Sequence, residues 1–376
     1  MLPCKQKSIT RRVEELLLIT IYVAFITIIF FGMLAFDILG YTKSGKHGNF
    51  VPWYPKVLVI IPVKGADIEL RKNLEAAKTQ EYKGSFDLIA VADEEKDYAV
   101  KIASTTGVRH IISNAKCKKC SGKVRAIATA LKRFKDYDVY VILDSDVRVD
   151  MKWLGRLVAP LRSKKIGLST TFPLFVPHRQ NFWSYAKMVW GLVGLGLMEN
   201  NISRFGWGGS MAFKSDLVDR RFMELLTNSE YSASDDICVT KAVRARGMEI
   251  EYVKDATPFV PCDESAETFF EWSDRQTAFT LLGYRKNLQM GLVFYSAEAL
   301  LFLSGIVMAT LLSPIFALFL LHTASSIFKA YRRTGSRSWL VALLVLIMPF
   351  LYIRNLLHAR NTDSVTWRGV RYRLGA

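Results

Sequence analysis

Apolar residues fall into long and short runs along the chain. Leu16 to Phe36 carries no charge over roughly the ~20 residues a bilayer-crossing helix needs. Met290 to His322 is almost wholly apolar, with Glu298 its one charge, and Ser338 to Tyr352 gives a further span. The short runs are strand-like. Lys56 to Gly65 is continuous and breaks at Pro62 and Gly65, Phe86 to Ala92 ends at Asp93, and Val108 to Ile112 follows. Tyr140 to Leu143, inside the stretch Val139–Asp146, ends in Asp144 and Asp146. Leu70–Gln80, Asp97–Thr106 and Val124–Phe134 carry the helical pattern between them. Strands alternating with helices predict an α/β fold with a parallel, doubly wound sheet covered on both faces.

This patterning divides the chain into a tail and anchor (1–50), a soluble domain (51–289) and C-terminal helices with a basic tail (290–376). The first long run is too long for a signal-peptide core and lacks a small-residue cleavage site, so a retained anchor is expected. Lysines and arginines flank it on both sides, which leaves the positive-inside rule without a clean orientation. Ser313-Pro314 is either a kink or a turn between two short helices. Two C-terminal spans are favoured, with the tail on the cytosolic side and Arg332 and Arg333 on the other.

Charge narrows the partners. The 376 residues hold 51 Lys and Arg against 34 Asp and Glu, a net +17. Such a balance favours anionic partners. No common nucleic-acid signature is present, so a phosphorylated ligand and a membrane surface are expected. Five cysteines make no secreted disulfide framework. Cys117 and Cys120 form a lone Cys-x-x-Cys without zinc-finger partners, expected as reduced thiols.

Candidate chemistry starts at Asp144 and Asp146. Side chains at i and i+2 of an extended chain share a side. Carboxylates at a strand's carboxyl end lie where open α/β sheets bind ligands. Their hard oxygens suit Mg²⁺ or Mn²⁺ bridged to a diphosphate, although Asp-Ser-Asp is also ordinary turn chemistry. Ser121-Gly-Lys123 opens a helix, where free N–H groups favour an anion and Lys123 adds a point charge. Phe205 to Phe213 has glycines at 206, 208 and 209, which permit close backbone approach. Ser232 to Gly247 reads as a delimited helix capped by Ser234 or Asp235. Asp236 then either stabilises its first turn or faces the crevice as a base.

In this order, Asp93, Asp144-Ser-Asp146, the Asp235-Asp236 helix and Asp274-Arg-Gln-Thr resemble family 2-type glycosyltransferases. The anchor, the apolar C-terminal third and Thr366-Trp-Arg-Gly-Val-Arg-Tyr-Arg-Leu374 resemble the ceramide glucosyltransferase branch. The resemblance implies a GT-A-type domain between N- and C-terminal transmembrane helices, with a UDP-sugar donor and a membrane lipid acceptor. It puts Asp93 at the uracil, Asp144 along the ribose and diphosphate, and Asp146 at the metal, with Pro62, Lys64 and Lys123 completing the donor side. Asp236 matches the catalytic base and Arg275 the arginine of the family's Gln/Arg-x-x-Arg-Trp motif. Asp235, Gly208, Gly209, Gln276, Trp367 and Arg368 fall on the acceptor side. Three departures stand out: Trp272 replaces Gln or Arg, Gln276 replaces the tryptophan, and Asn200–Arg204 lacks the family histidine.

The implied reaction is inverting hexosyl transfer, assisted by a divalent cation, with the catalytic domain in the cytosol. A processive polysaccharide synthase or a polyprenyl-phosphate sugar transferase shares the early motifs. A synthase needs more helices and a full Gln-x-x-Arg-Trp, and the tail argues against the transferase. An inactive basic membrane scaffold would leave the placed acids without a reason.

Overall fold

The computed structural model describes residues 2–43, 50–117, 120–283, 286–362, 364–367 and 370–373. The chain begins with α1 (Leu2–Lys43), then β1 (Val57–Pro62), α2 (Leu70–Lys78), β2 (Phe86–Ala92), α3 (Tyr98–Thr105), β3 (Arg109–Ile112), α4 (Gly122–Arg133) and β4 (Val139–Leu143). It continues through α5 (Trp153–Val158), β5 (Ile166–Thr170), β6 (Leu174–Pro177), α6 (Phe182–Trp190), α7 (Leu192–Glu199), β7 (Ser210–Lys214), α8 (Arg220–Asn228) and α9 (Asp235–Ala245). After β8 (Glu249–Tyr252), β9 (Phe259–Cys262) and α10 (Ala266–Gly283) come α11 (Lys286–Leu311), α12 (Leu321–Thr334), α13 (Trp339–Arg360), β10 (Ser364–Trp367) and β11 (Val370–Arg373). These elements form two compact units: Met1–Gly45 with Leu288–Arg354, and Lys46–Asn287 with Asn355–Ala376.

The α/β unit is built on a seven-stranded sheet of order β3-β2-β1-β4-β7-β5-β8. The apolar runs become its centre because β-branched residues buried on both faces need no polar alternation; β1 and β4 are accordingly almost wholly buried. Ile60, Ile89, Ile127, Ile142, Phe213 and Val239 belong to one core cluster beneath α4 and α9. Burying each such side chain is worth about 1.5–3 kcal/mol.

β1 pairs in parallel with β2 on one side and β4 on the other, so the strand order reverses at β1. Ligands bind at such switch points, beyond the carboxyl ends of the strands. The sheet departs from the all-parallel expectation at β7, which runs antiparallel between β4 and β5. The chain leaves the carboxyl end of β5, passes through β6, α6 and α7, and re-enters from that same edge. It must therefore run down beside β4, pairing Ser210 with Leu143.

A small parallel sheet joins β6 to β9, and α10 packs on α6. The tail forms a β10–β11 hairpin with Val365 opposite Tyr372, and β10 packs on α10. Cys117 and Cys120, expected as free thiols, are joined in a disulfide. Their i, i+3 spacing brings the Cα atoms to 5.7 Å, inside the range a disulfide can close.

In the helical unit, α1 and α11 run in opposite directions. Phe36 meets Phe294 at 5.1 Å between ring centroids, and Tyr22 hydrogen-bonds Ser304 at 2.6 Å. The chain turns at Ser313-Pro314, where proline cannot continue the hydrogen-bond ladder, and α12 returns alongside α1. Phe319 meets Phe30, His322 bridges Asp37 and Glu298 at 2.9 and 3.0 Å, and Lys329 pairs with Asp37 at 2.6 Å. Tyr352 of α13 stacks on Tyr295, near the start of α11. Among the described residues four helices are long and apolar enough to cross a membrane: Arg12–Leu39, Lys286–Leu311, Pro314–Thr334 and Trp339–Arg360. Three of them follow the α/β fold, because the Ser313-Pro314 break divides the long apolar run.

Candidate active site

The carboxyl edges of β1, β2 and β4 carry the first group of polar side chains. Pro62 ends β1, and Gly65 turns the chain at φ +70° while donating its N–H to Asp97. That turn sets Lys64 Nζ 3.9 Å from Asp93 Oδ2, just beyond the end of β2. Arg125 of α4 donates to Asp93 Oδ1 at 2.8 Å and Ser113 donates to the same oxygen at 3.1 Å. Burial pushes the Asp93 carboxyl up, but Arg125, Ser113 and Lys64 outweigh it and hold it below the usual carboxylate value. Sequence reading missed Arg125, whose partner comes from another element.

Beyond β4, half-buried Asp144 and Asp146 alternate with buried Ser145 and Val147, as the i, i+2 argument requires. The chain then turns, with the Val147 N–H donating to the Asp144 carbonyl. Ser145 is fixed beneath: its hydroxyl donates to Asp67 and its carbonyl accepts from Asn73. The Asp144 N–H donates to the Gly209 carbonyl at 3.0 Å, so antiparallel β7 brings the glycine turn to the acidic pair.

Ser121 caps α4 by accepting from Val124, and Lys123 lies in the first turn. Lys123 is largely buried, with Nζ 2.8 Å from Asp144 Oδ1, 3.2 Å from Asp235 Oδ1 and 3.0 Å from the Gly208 carbonyl. Burial opposes its charge, but the facing carboxylates of Asp144, Asp235 and Asp236 win and raise its pKa. Asp235 is only 4% exposed, and its Oδ2 is buried without a hydrogen-bond partner. Burial and the neighbouring Asp236 push the Asp235 carboxyl up, against the pull of Lys123. A Cβ on Gly208 would lie 2.5 Å from Asp235 Oδ2 and 2.8 Å from Lys123 Nζ, so only glycine fits without displacement.

Ser234, rather than Asp235, caps α9, and Gly247 ends the turn after it at φ +66°. Asp236 is half-buried; its Oδ1 accepts from the Ser234 hydroxyl and from the Ile237 N–H.

Arg275 and Gln276 lie half-buried on another element, α10. Trp272, in place of the family Gln or Arg, has its ring centroid 4.8 Å from Trp190 and 5.2 Å from Phe175, with Lys187 Nζ 4.8 Å above it. An aromatic-cation contact thus occupies that position. Trp367 closes β10, and Arg368 falls outside the described residues.

Among the described residues no three His, Cys, Asp or Glu side chains form a metal cage. Asp144 and Asp146 offer two hard oxygen donors, the set expected when substrate phosphates and water complete a Mg²⁺ or Mn²⁺ shell.

Residues 18–376 match glycosyl transferase family 21. No curated protein matches the chain. A mannosyltransferase from Pyrobaculum calidifontis, solved with GDP-mannose and Mn²⁺, superposes with TM-score 0.53 at 17% identity, covering 88% of this chain and 96% of its own. That likeness extends to the fold. Glucosyl-3-phosphoglycerate synthase from Mycobacterium tuberculosis, solved with phosphoglyceric acid, gives TM-score 0.39 at 14% identity, covering 61% of this chain and 80% of its own.

Proposed function

Because the chain belongs to glycosyl transferase family 21, we propose that it is a membrane-bound inverting transferase moving a hexose from a UDP-sugar to a lipid alcohol of the ceramide kind. The observation that carries this reading is the gathering of Lys123, Asp144, Asp235 and the Gly208 carbonyl beside the strand-order reversal. The family includes ceramide glucosyltransferases, and helices long enough to span a membrane suit a lipid acceptor.

Asp93, with Lys64 and Arg125, holds the uracil end of the donor, and Pro62 shapes the turn beside it. Asp144 and Asp146 would hold a divalent cation, which when bound neutralises charge on the departing diphosphate. Lys123 locks Asp144 to Asp235 and keeps positive charge at the diphosphate side. Asp236 takes the proton from the acceptor hydroxyl. That oxygen bonds to the anomeric carbon from the face opposite UDP, and the carbon–oxygen bond to UDP breaks with its electron pair leaving on the diphosphate. General-base action of this kind contributes about 10²- to 10⁴-fold. Arg275, Gln276, Gly209, Trp367 and Arg368 serve the acceptor side, with the catalytic domain in the cytosol.

Purified protein should be given a panel of UDP-sugars and membrane lipids, with Mn²⁺ or Mg²⁺, and the products read by mass spectrometry. A glycolipid one hexose heavier than its acceptor, formed with inverted anomeric configuration, is the expected result. UDP release without a lipid product, or none with any donor, would overturn the reading.

A further inference from the structure

Asn355, near the end of α13, is 1% exposed and uses its whole amide. Its Oδ1 accepts from the Trp190 indole N–H at 3.1 Å, and its Nδ2 donates to Ser273 Oγ at 3.0 Å and to Asp274 Oδ1 at 2.6 Å. One acceptor and two donors pointing at three fixed partners leave the amide one orientation. Three elements meet there: α6 through Trp190, α10 through Ser273 and Asp274, and α13 through Asn355. His358, on the same side of α13, approaches the other Asp274 oxygen at 3.7 Å.

No other side chain reproduces this junction. Aspartate lacks both donors, leucine lacks every polar atom, and glutamine is one methylene too long. Removing the amide would take its acceptor from the indole N–H and one donor from the Ser273 hydroxyl, which still donates to the Phe270 carbonyl, and a hydrogen bond lost away from water is costly. The junction also fixes how α10 is rotated. Successive helical residues step about 100° round the axis. With Trp272 seated against Trp190 and Phe175, and Asp274 held by Asn355, the direction of Arg275 follows.

We propose that Asn355 is a positioning residue for hexosyl transfer: it locks the rotation of α10 and so the placement of Arg275 and Gln276 toward the acceptor. The inference rests on the function proposed above. It assigns a role in that reaction to a residue well outside the sheet-edge cluster, delivered by the segment that leads into the tail hairpin.

The test uses Asn355→Leu and Asn355→Asp in the full-length protein. Both should lower kcat, by up to about 10²-fold for a misplacement of this size, while the KM for the UDP-sugar stays within about twofold. An aspartic acid can donate to Asp274 only while protonated. Asn355→Asp should therefore regain activity relative to the wild type as pH falls, whereas Asn355→Leu keeps the wild-type profile at lower height. Asp274 and His358 are titratable groups at the junction, and both are common to all three proteins, as is every other charged neighbour. A changed donor KM with unchanged kcat, or parallel pH profiles for all three, would overturn the proposal.

Hydrogen exchange gives a readout independent of substrate. Asn355→Leu should speed amide exchange in both 266–283 and 182–190 and leave 235–245 unchanged. Faster exchange confined to α13 would overturn the proposal, even for a protein that transfers no hexose. Absence of transfer by the wild type with normal exchange coupling would instead fault only the function.

Discussion

Lys123, in the first turn of α4, and Asp235, in the first turn of α9, meet as a buried ion pair at 3.2 Å. The pair ties two helix N-termini together over the end of β4. Removing one partner of such a pair costs about 3–5 kcal/mol, because the other charge stays buried and uncompensated. Lys123→Met should therefore lose much of the stability of the α/β unit, and Lys123→Met/Asp235→Asn should recover part of it. Thermal unfolding decides the point. Additive losses in the double variant would show that the two side chains are not energetically coupled.

Asp236 and the strand-end acids should separate in their effects. Asp236→Asn is expected to abolish transfer while leaving UDP affinity nearly unchanged, since a base acts on the acceptor. Asp144→Ala and Asp146→Ala should lose Mn²⁺-dependent UDP binding. Calorimetry with Mn²⁺ and UDP on the three variants provides the check. Unchanged affinity in both alanine variants would remove these residues from the donor site.

Asp93 predicts a pH dependence with a defined sign. Its folded-state pKa is lowered on balance by Arg125, Ser113 and Lys64 acting against burial. That stability is present above the ordinary value of about 3.9 and is lost as pH falls through the lower folded value. Arg125→Met should thus cost about 1–2 kcal/mol at neutral pH, and the difference from wild type should shrink in acid as Asp93 protonates. Unfolding curves at neutral and acid pH test this. A penalty independent of pH would place its origin in packing.

The helical unit predicts a topology. α11 leaves the level of Asp37 and α12 returns to it, since Lys329 pairs with Asp37. The loop 335–338 then emerges at the C-terminal end of α1. Tyr352, stacked on Tyr295, puts the far part of α13 at that same end. An epitope in 335–338 and one placed just after residue 43 are expected on the same side of the membrane. Protease protection of either epitope alone would refute this path. Arg332 and Arg333, in the last turn of α12, lie at that same end.

What could be read in advance was local. The apolar runs of β1, β2 and β4 announced the central strands, and the acids closing two of them lie at the sheet's carboxyl edge. Ser234 and Gly247 delimited α9. Strand direction was not legible for β7, because antiparallel entry follows from where the preceding helices return the chain. The pairing of Lys123 was not legible, because its carboxylates come from β4 and α9, far away in sequence. Trp272 looked like a defect in a motif until Trp190, Phe175 and Lys187 surrounded it. The Cys117–Cys120 bond depended on a turn that spacing alone did not specify.

The α/β unit takes its last pieces from the end of the chain, Asn355 and the β10–β11 hairpin. A ribosome adds about 5–20 residues per second, so the helices from 288 to 354 impose a delay of seconds before those pieces emerge. Through that interval α10 waits without Asn355 and β10, while helices long and apolar enough to cross a membrane are made. Maturation of the enzyme is therefore ordered by translation: the helices from 288 to 354 are made first and the α/β unit closes last. A message truncated anywhere before Asn355 leaves the α/β unit unfinished.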